Sequence, residues 1–170
     1  AMNISPDFIK AGIESLSSVP GRLERIENNL NRHVYVDYAH TPDAVENVLK
    51  ALRDIGSRRV ICVFGCGGNR DKDKRPRMGR IASELSDLAV ITSDNPRSES
   101  KTEIIDQIVA GVREVKTHEY RACDLAAGFS KKGYVVEPDR KAGIMLAVGA
   151  SQPGDVILIA GKGHETYQII

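Results

Sequence analysis

Tryptophan is missing from this chain, and aromatic residues make up only 5% of it. Charge of one sign is missing as well: 24 Lys and Arg stand against 23 Asp and Glu, a formal net of +1. A dedicated nucleic-acid binder, with a wholly basic face and interleaved aromatics for stacking, is therefore not expected. Cysteine is scarce. Cys62, Cys66 and Cys123 are an odd three, and 170 residues can bury a core without a disulfide scaffold, so a reducing compartment fits. Cys62 and Cys66 lie close together, but no second Cys or His pair at zinc spacing completes a metal site. No apolar run approaches the roughly 18 residues of a membrane span, and no basic-then-apolar leader opens the chain. A cytoplasmic protein without membrane or nucleic-acid partners is the expectation.

Both common phosphate-loop fingerprints are absent: neither G-x-x-x-x-G-K-[ST] nor G-x-G-x-x-G occurs. What is present is an ordinary globular mixture, 41% hydrophobic and 28% charged, of a length that suits one domain. Ala1-Met2 reads as a cloning remnant, and Tyr167 to Ile170 as a strand that stops without a turn. Both ends suggest a piece of a longer chain.

Ser5-Pro6-Asp7 starts a short helix whose Phe8, Ile9, Ile13 and Leu16 recur at helical spacing, and Pro20-Gly21 breaks the segment after it. Beyond that hinge, strands alternate with helices. Strands are expected at 33–38, 59–64, 88–92, 133–137 and 155–160, and helices at 41–55, 76–85, 101–114 and 139–150. Gly56 closes the first of those helices. The runs R-V-I-C-V-F and D-V-I-L-I-A are continuously apolar, as in strands buried on both faces of a parallel sheet. The alternation predicts an α/β fold, a doubly wound, mainly parallel sheet with helices on both faces. Segment 115–132 shows no clear period.

Ligands in such sheets bind at loops beyond the carboxyl ends of the strands. Four of these loops carry chemistry, and each also has a plainer reading. Gly65-Cys66-Gly67-Gly68 gives an anion or a neighbouring loop access to backbone N–H groups, or is a tight turn needing positive φ. From Arg70 to Arg80, six basic residues against two acidic ones could neutralise ligand carboxylates or phosphates, or form a solvated helix start. Asp94-Asn95-Pro96-Arg97 offers acceptors for an ammonium and a planar fork for a carboxylate, as a zwitterionic amino acid requires; alternatively it is an Asn-Pro turn capping the next helix. Gly161-Lys162-Gly163-His164-Glu165 combines backbone access with a base, a cation and a carboxylate, whereas nucleophilic catalysis lacks any G-x-S-x-G elbow. Asp37-Tyr38-Ala39-His40 faces a nucleotide or simply ends a strand.

Taken in order, P-G-R-L-E at 20–24, D-Y-A-H-T-P-D at 37–43, G-C-G-G-N-R-D-K at 65–72, D-N-P-R at 94–97 and G-K-G-H-E at 161–165 resemble the C-terminal domain of the Mur ligases. Within that family they resemble the branch that adds meso-diaminopimelate. The resemblance runs from about residue 19 to 170 and implies a Rossmann-like fold. It makes 1–18 the tail of a preceding central ATPase domain with its linker, and 19–170 a C-terminal domain truncated at its end.

It further implies a cytoplasmic, ATP-dependent ligase of peptidoglycan precursor synthesis, acting on UDP-MurNAc-L-Ala-D-Glu and meso-diaminopimelate. The Walker loop and the Mg2+ ligands would lie in the preceding domains, leaving this fragment alone inactive. Carried over by position, Arg70, Asp94, Asn95, Pro96, Arg97, Gly161 and Glu165 match the diaminopimelate-binding positions; Arg22, Asp37 and His40 match positions near ATP. Asn69 stands where the family often has Asp. A lysine-adding ligase, a folylpolyglutamate synthase-like ligase and a non-catalytic binding module are the alternatives; D-N-P-R with G-K-G-H-E argues against the first two.

Overall fold

The two continuously apolar runs take adjacent places at the middle of the sheet. In the computed structural model, which describes residues 4–16, 18–54, 58–115 and 117–168, they are β3 (Val60–Phe64) and β7 (Val156–Ala160). The other strands are β1 (Glu24–Ile26), β2 (His33–Asp37), β4 (Leu88–Ile91), β5 (His118–Tyr120) and β6 (Gly133–Val136). Their order is β1-β2-β7-β3-β4-β6-β5. All neighbours run parallel except β1, which lies antiparallel along β2.

Strand geometry sends successive side chains to opposite faces, so a strand covered on both sides must be apolar throughout. Cys62, Phe64 and Leu158 enter one core, beneath α2 (Pro42–Asp54), α3 (Lys74–Leu85) and α4 (Lys101–Glu114). Ile61, Val63 and Ile157 enter the other, with Leu125, Phe129 and the helix α5 (Arg140–Ala150). Each fully buried aliphatic side chain stabilises the fold by about 1.5–3 kcal/mol relative to exposure. The expected doubly wound sheet with helices on both faces is what the chain forms.

Differences from the sequence expectation are local. Helix α3 starts at Lys74 rather than Pro76, because proline is tolerated in a first turn whose N–H groups have no intrahelical partner. The segment without a clear period holds β5 and a 3-10 helix, Ala122–Ala127. Strand β1 was not anticipated: it is three residues on an edge, with the pattern Glu-Arg-Ile. Tyr167 and Gln168 are not in a strand; the Gln168 amide donates to the Asp94 carbonyl (2.8 Å) and Ser93 Oγ (3.2 Å). Ala1, Met2, Ile55, Gly56, Ile169 and Ile170 lie outside the described residues.

The lead-in helix α1 (Pro6–Glu14) is capped by Ser5, whose hydroxyl accepts from Phe8 N–H. It buries none of its residues, and its apolar face, with Phe8 77% exposed, turns to solvent. Among the described residues, no helix is long and apolar enough to cross a membrane.

Candidate amino-acid and nucleotide site

Strands β2, β7, β3 and β4 stand side by side, so the loops that follow them meet at one end of the sheet. There they enclose a cavity of about 480 Å³.

The loops that follow β3 and β4 are stitched together. Gly68 N–H donates to the Asn95 carbonyl (2.8 Å), and Arg97 Nη1 donates back to the Gly68 carbonyl (2.8 Å). Ser98 Oγ donates to Asn69 Oδ1 (2.9 Å). A Cβ at Gly68 would run into the Pro96 carbonyl, and one at Gly67 would lie 2.9 Å from Arg97 Nη1. Neither residue has a positive φ, nor does Gly65. The glycines therefore serve close approach of the two loops, not a left-handed turn. Arg97 itself is left-handed at φ +54°, a conformation costing a non-glycine residue roughly 1–2 kcal/mol. The helix cap of α4 is Ser100, not the Asn-Pro pair.

The basic run divides into distinct jobs. Arg75 is wholly buried, its guanidinium forked onto Glu99 (2.9 and 3.0 Å) and also donating to Gln107 (2.8 Å) and the Gly67 carbonyl (3.2 Å). Arg75, aided by the Asn69 N–H, holds the Glu99 carboxyl down at about 2. Lys74 donates to the His40 carbonyl (2.8 Å), Arg77 and Arg80 pair loosely with surface acids, and Arg70 lines the cavity.

Acidic groups come from the loops after β4 and β7. Asp94 and Glu165 both line the cavity, with the Gly161 backbone beside them. Between the two acids lies Lys162, 9% exposed, its Nζ 3.4 Å from Asp94 Oδ1 and 3.4 Å from Glu165 Oε2. The same ammonium donates to Asn95 Oδ1 (3.0 Å) and the Tyr167 carbonyl (3.0 Å). Gly161 has φ +108°, and a Cβ there would lie 3.2 Å from Asp94 Oδ2. Behind the acids, Arg140 is buried and donates to the Ala160 carbonyl (2.8 Å). Burial lowers its pKa, against the pull of Asp94. Cys66 also reaches the cavity, but burial pushes its thiol up to about 12, so it is no thiolate nucleophile at neutral pH.

A cluster of rings and cations borders this cavity. Tyr38 meets His40 edge-on (4.7 Å) and stacks on His164 (5.8 Å), and the Arg22 guanidinium lies 4.8 Å over the Tyr38 ring. Asp37 is used internally: its carboxylate accepts from Leu23 N–H and Ala39 N–H, both at 2.7 Å.

Of the residues singled out from sequence, Arg70, Asp94, Asn95, Arg97, Gly161, Glu165 and His40 line one cavity. Pro96, Arg22 and Asp37 are not in its lining; Pro96 is buried at the loop contact. Sequence reasoning treated Lys162 only as a cation of its loop and Arg75 only as part of a charge run. Nothing in the spacing of either marks burial, although Glu99 two residues after D-N-P-R was an available partner for Arg75. Among the described residues, no group of three or more His, Cys, Asp or Glu could hold a metal ion.

The family model described as Mur ligase, glutamate ligase domain, matches residues 21–163. The UDP-N-acetylmuramoyl-L-alanyl-D-glutamate--2,6-diaminopimelate ligase of Geobacter metallireducens is 53% identical over 170 residues, all of this chain and 33% of that protein. A ligase of the same name from Clostridium acetobutylicum is 50% identical over 169 residues, 98% of this chain and 32% of its own length. The chain thus spans about a third of the length of the curated relatives it matches. Among solved structures, a ligase of that name superimposes with TM-score 0.73 at 38% identity, over 96% of this chain and 30% of its own. A Yersinia pestis bifunctional folylpolyglutamate synthase/dihydrofolate synthase, solved with AMPPNP and a manganese ion, shares the fold: TM-score 0.67 at 18% identity, over 96% and 33% of the two chains.

Proposed function

The chain belongs to the Mur ligase family as its glutamate ligase domain, and from this we propose that it is the amino-acid-binding, C-terminal part of an ATP-dependent ligase adding meso-diaminopimelate to UDP-MurNAc-L-Ala-D-Glu. On this reading, ATP phosphorylates the D-glutamate side-chain carboxylate, and an amine of diaminopimelate attacks the acyl phosphate. An amide forms; ADP and phosphate leave. The protein works in the cytoplasm, where these precursors are made. Residues 19–170 are the C-terminal domain, and 1–18 are the tail of the central domain and its linker.

The observation that carries the proposal is the pairing of opposite charges around one cavity: Arg70 and Arg97 with Asp94, Glu165 and the Gly161 backbone. Diaminopimelate is lysine with a second carboxylate at its far end. A planar guanidinium matches that carboxylate, and the two acids match the ammonium beside it. Arg22, His40, Lys74 and the Tyr38 ring are suited to hold part of ATP through cations and an aromatic face. Mg2+ has no ligand set among the described residues; its ligands are proposed to lie in the preceding domains, and no step here is assigned to it.

The test is an amide-forming assay of the full-length protein with meso-diaminopimelate and with L-lysine. A site built around a polar group typically rejects the analogue lacking it by about 10⁴ or more, so strong preference for diaminopimelate is expected. Arg97→Ala should remove a charge-assisted bond of about 1.5–3 kcal/mol and cut that preference by at least roughly tenfold. An unchanged preference in Arg97→Ala would reject the role given to Arg97, and wild-type preference for lysine would reject the substrate.

A further inference from the structure

We infer that Lys162 is a positioning residue for amino-acid specificity: a tethered ammonium that engages one oxygen of Asp94 and one of Glu165, leaving the other oxygen of each for the substrate's own ammonium. The inference deepens the proposed function and rests on it for the identity of the ligand.

An ammonium has three N–H donors. Lys162 Nζ has four acceptors within 3.4 Å, from the loop after β4 and from its own loop, so all of its hydrogen-bonding capacity is spent inside the protein. Each acid is engaged through a single oxygen, Oδ1 of Asp94 and Oε2 of Glu165. Asp94 Oδ2 and Glu165 Oε1 accept no hydrogen bond among the described residues.

Glu165 makes the dependence plain. Its carboxylate has Lys162 as its hydrogen-bond partner and no other among the described residues. Asp94 has further support, since its Oδ1 also accepts from the Asn95 N–H and its carbonyl from Gln168. Arg140, the buried cation behind, lies within electrostatic reach of both acids but spends its described hydrogen bond on the Ala160 carbonyl and gives neither carboxylate one. Without Lys162, two like charges would share one wall of the cavity, with only the diffuse pull of Arg140 on them and no hydrogen bond holding the Glu165 carboxylate beside Asp94. A substrate ammonium would then have to order the acids as it bound, which weakens binding. The loss should fall on the amino acid and spare ATP.

Lys162→Met in the full-length ligase tests this. KM for the amino acid should rise about tenfold or more, as expected for loss of a charge-assisted contact. KM for ATP should stay within about twofold of wild type, and kcat should fall by less than the amino-acid KM rises. Ethylammonium added to Lys162→Ala should recover part of the amino-acid KM, and Lys162→Arg should lose less than Lys162→Met. A purely structural role would shift both KM values and kcat together with no rescue, and that result would overturn the inference, as would an unchanged amino-acid KM. Wild-type preference for lysine would instead remove diaminopimelate as the substrate, with the Lys162 effect still readable on lysine.

Discussion

Arg75 and Glu99 show how one buried charge can hold a site it never lines. The guanidinium reaches the carbonyl of Gly67 in one loop, Glu99 beyond D-N-P-R in another, and Gln107 on α4. Arg75 keeps the Glu99 carboxyl near 2, against an ordinary 4.5. A carboxylate with a depressed folded pKa stabilises the fold above its unfolded pKa and loses that contribution as pH falls through the folded one. Here the window runs from about 4.5 down to about 2. Arg75→Met should therefore lower the urea midpoint at pH 7 and flatten its fall across that window relative to wild type, as read from urea titrations at several pH values. Equal slopes in the two proteins would refute the assignment. This pair was illegible in the sequence because a guanidinium in a basic run carries no sign of burial. Asp94 and Arg97 could be expected at the cavity because their residue types match a zwitterion and their loop follows an apolar strand, whereas Glu165 was expected there from the family resemblance of G-K-G-H-E. Lys162 was hidden by its own loop, where a cation beside an anion reads as exposed.

At the scale of elements, helices α3 and α4 cross closely enough to require glycine. A Cβ on Gly111 would strike the Pro76 carbonyl, and one on Gly79 the Ile108 carbonyl. Gly149, near the end of α5, has open space around it and no positive φ. The two environments predict opposite signs for the same chemical change. Gly111→Ala should destabilise by about 1–3 kcal/mol through overpacking, whereas Gly149→Ala should stabilise by about 0.4–1 kcal/mol through lost backbone freedom in the unfolded chain. Thermal melts of both variants check this; a stabilising Gly111→Ala would mean that the helices part without cost. The sequence announced the bounds of α4 to the residue, because Ile104, Ile105, Ile108 and Val112 make one stripe, but not its Ser100 cap. It could not announce β1 or β5, each three residues at an edge of the sheet, where polar side chains are tolerated on both faces and no alternation develops. Nor could periodicity reveal the 3-10 helix between β5 and β6, whose turn has three residues rather than 3.6.

For the whole molecule, the telling feature is the contrast between two cores that exclude water and a helix that buries nothing. Phe8, Ile9, Ile13 and Leu16 on and just after α1 are all more than half exposed. Burying such side chains is worth about 1.5–3 kcal/mol each, so an amphipathic helix left in solvent forgoes a large part of its stabilisation. The proposed place of residues 1–18, as the tail of a preceding domain, supplies a surface for that face. Exchanging Phe8 and Ile13 for serine separates the two situations. In the 170-residue chain the thermal midpoint should barely move, since exposed sites away from special features usually change stability by no more than about 0.5 kcal/mol. In the full-length protein the same double exchange should remove packed apolar surface, lower the midpoint by several degrees and open the hinge at Pro20-Gly21 to limited proteolysis. A full-length protein indifferent to both substitutions would show that α1 is a solvated lead-in and that the catalytic domains meet elsewhere.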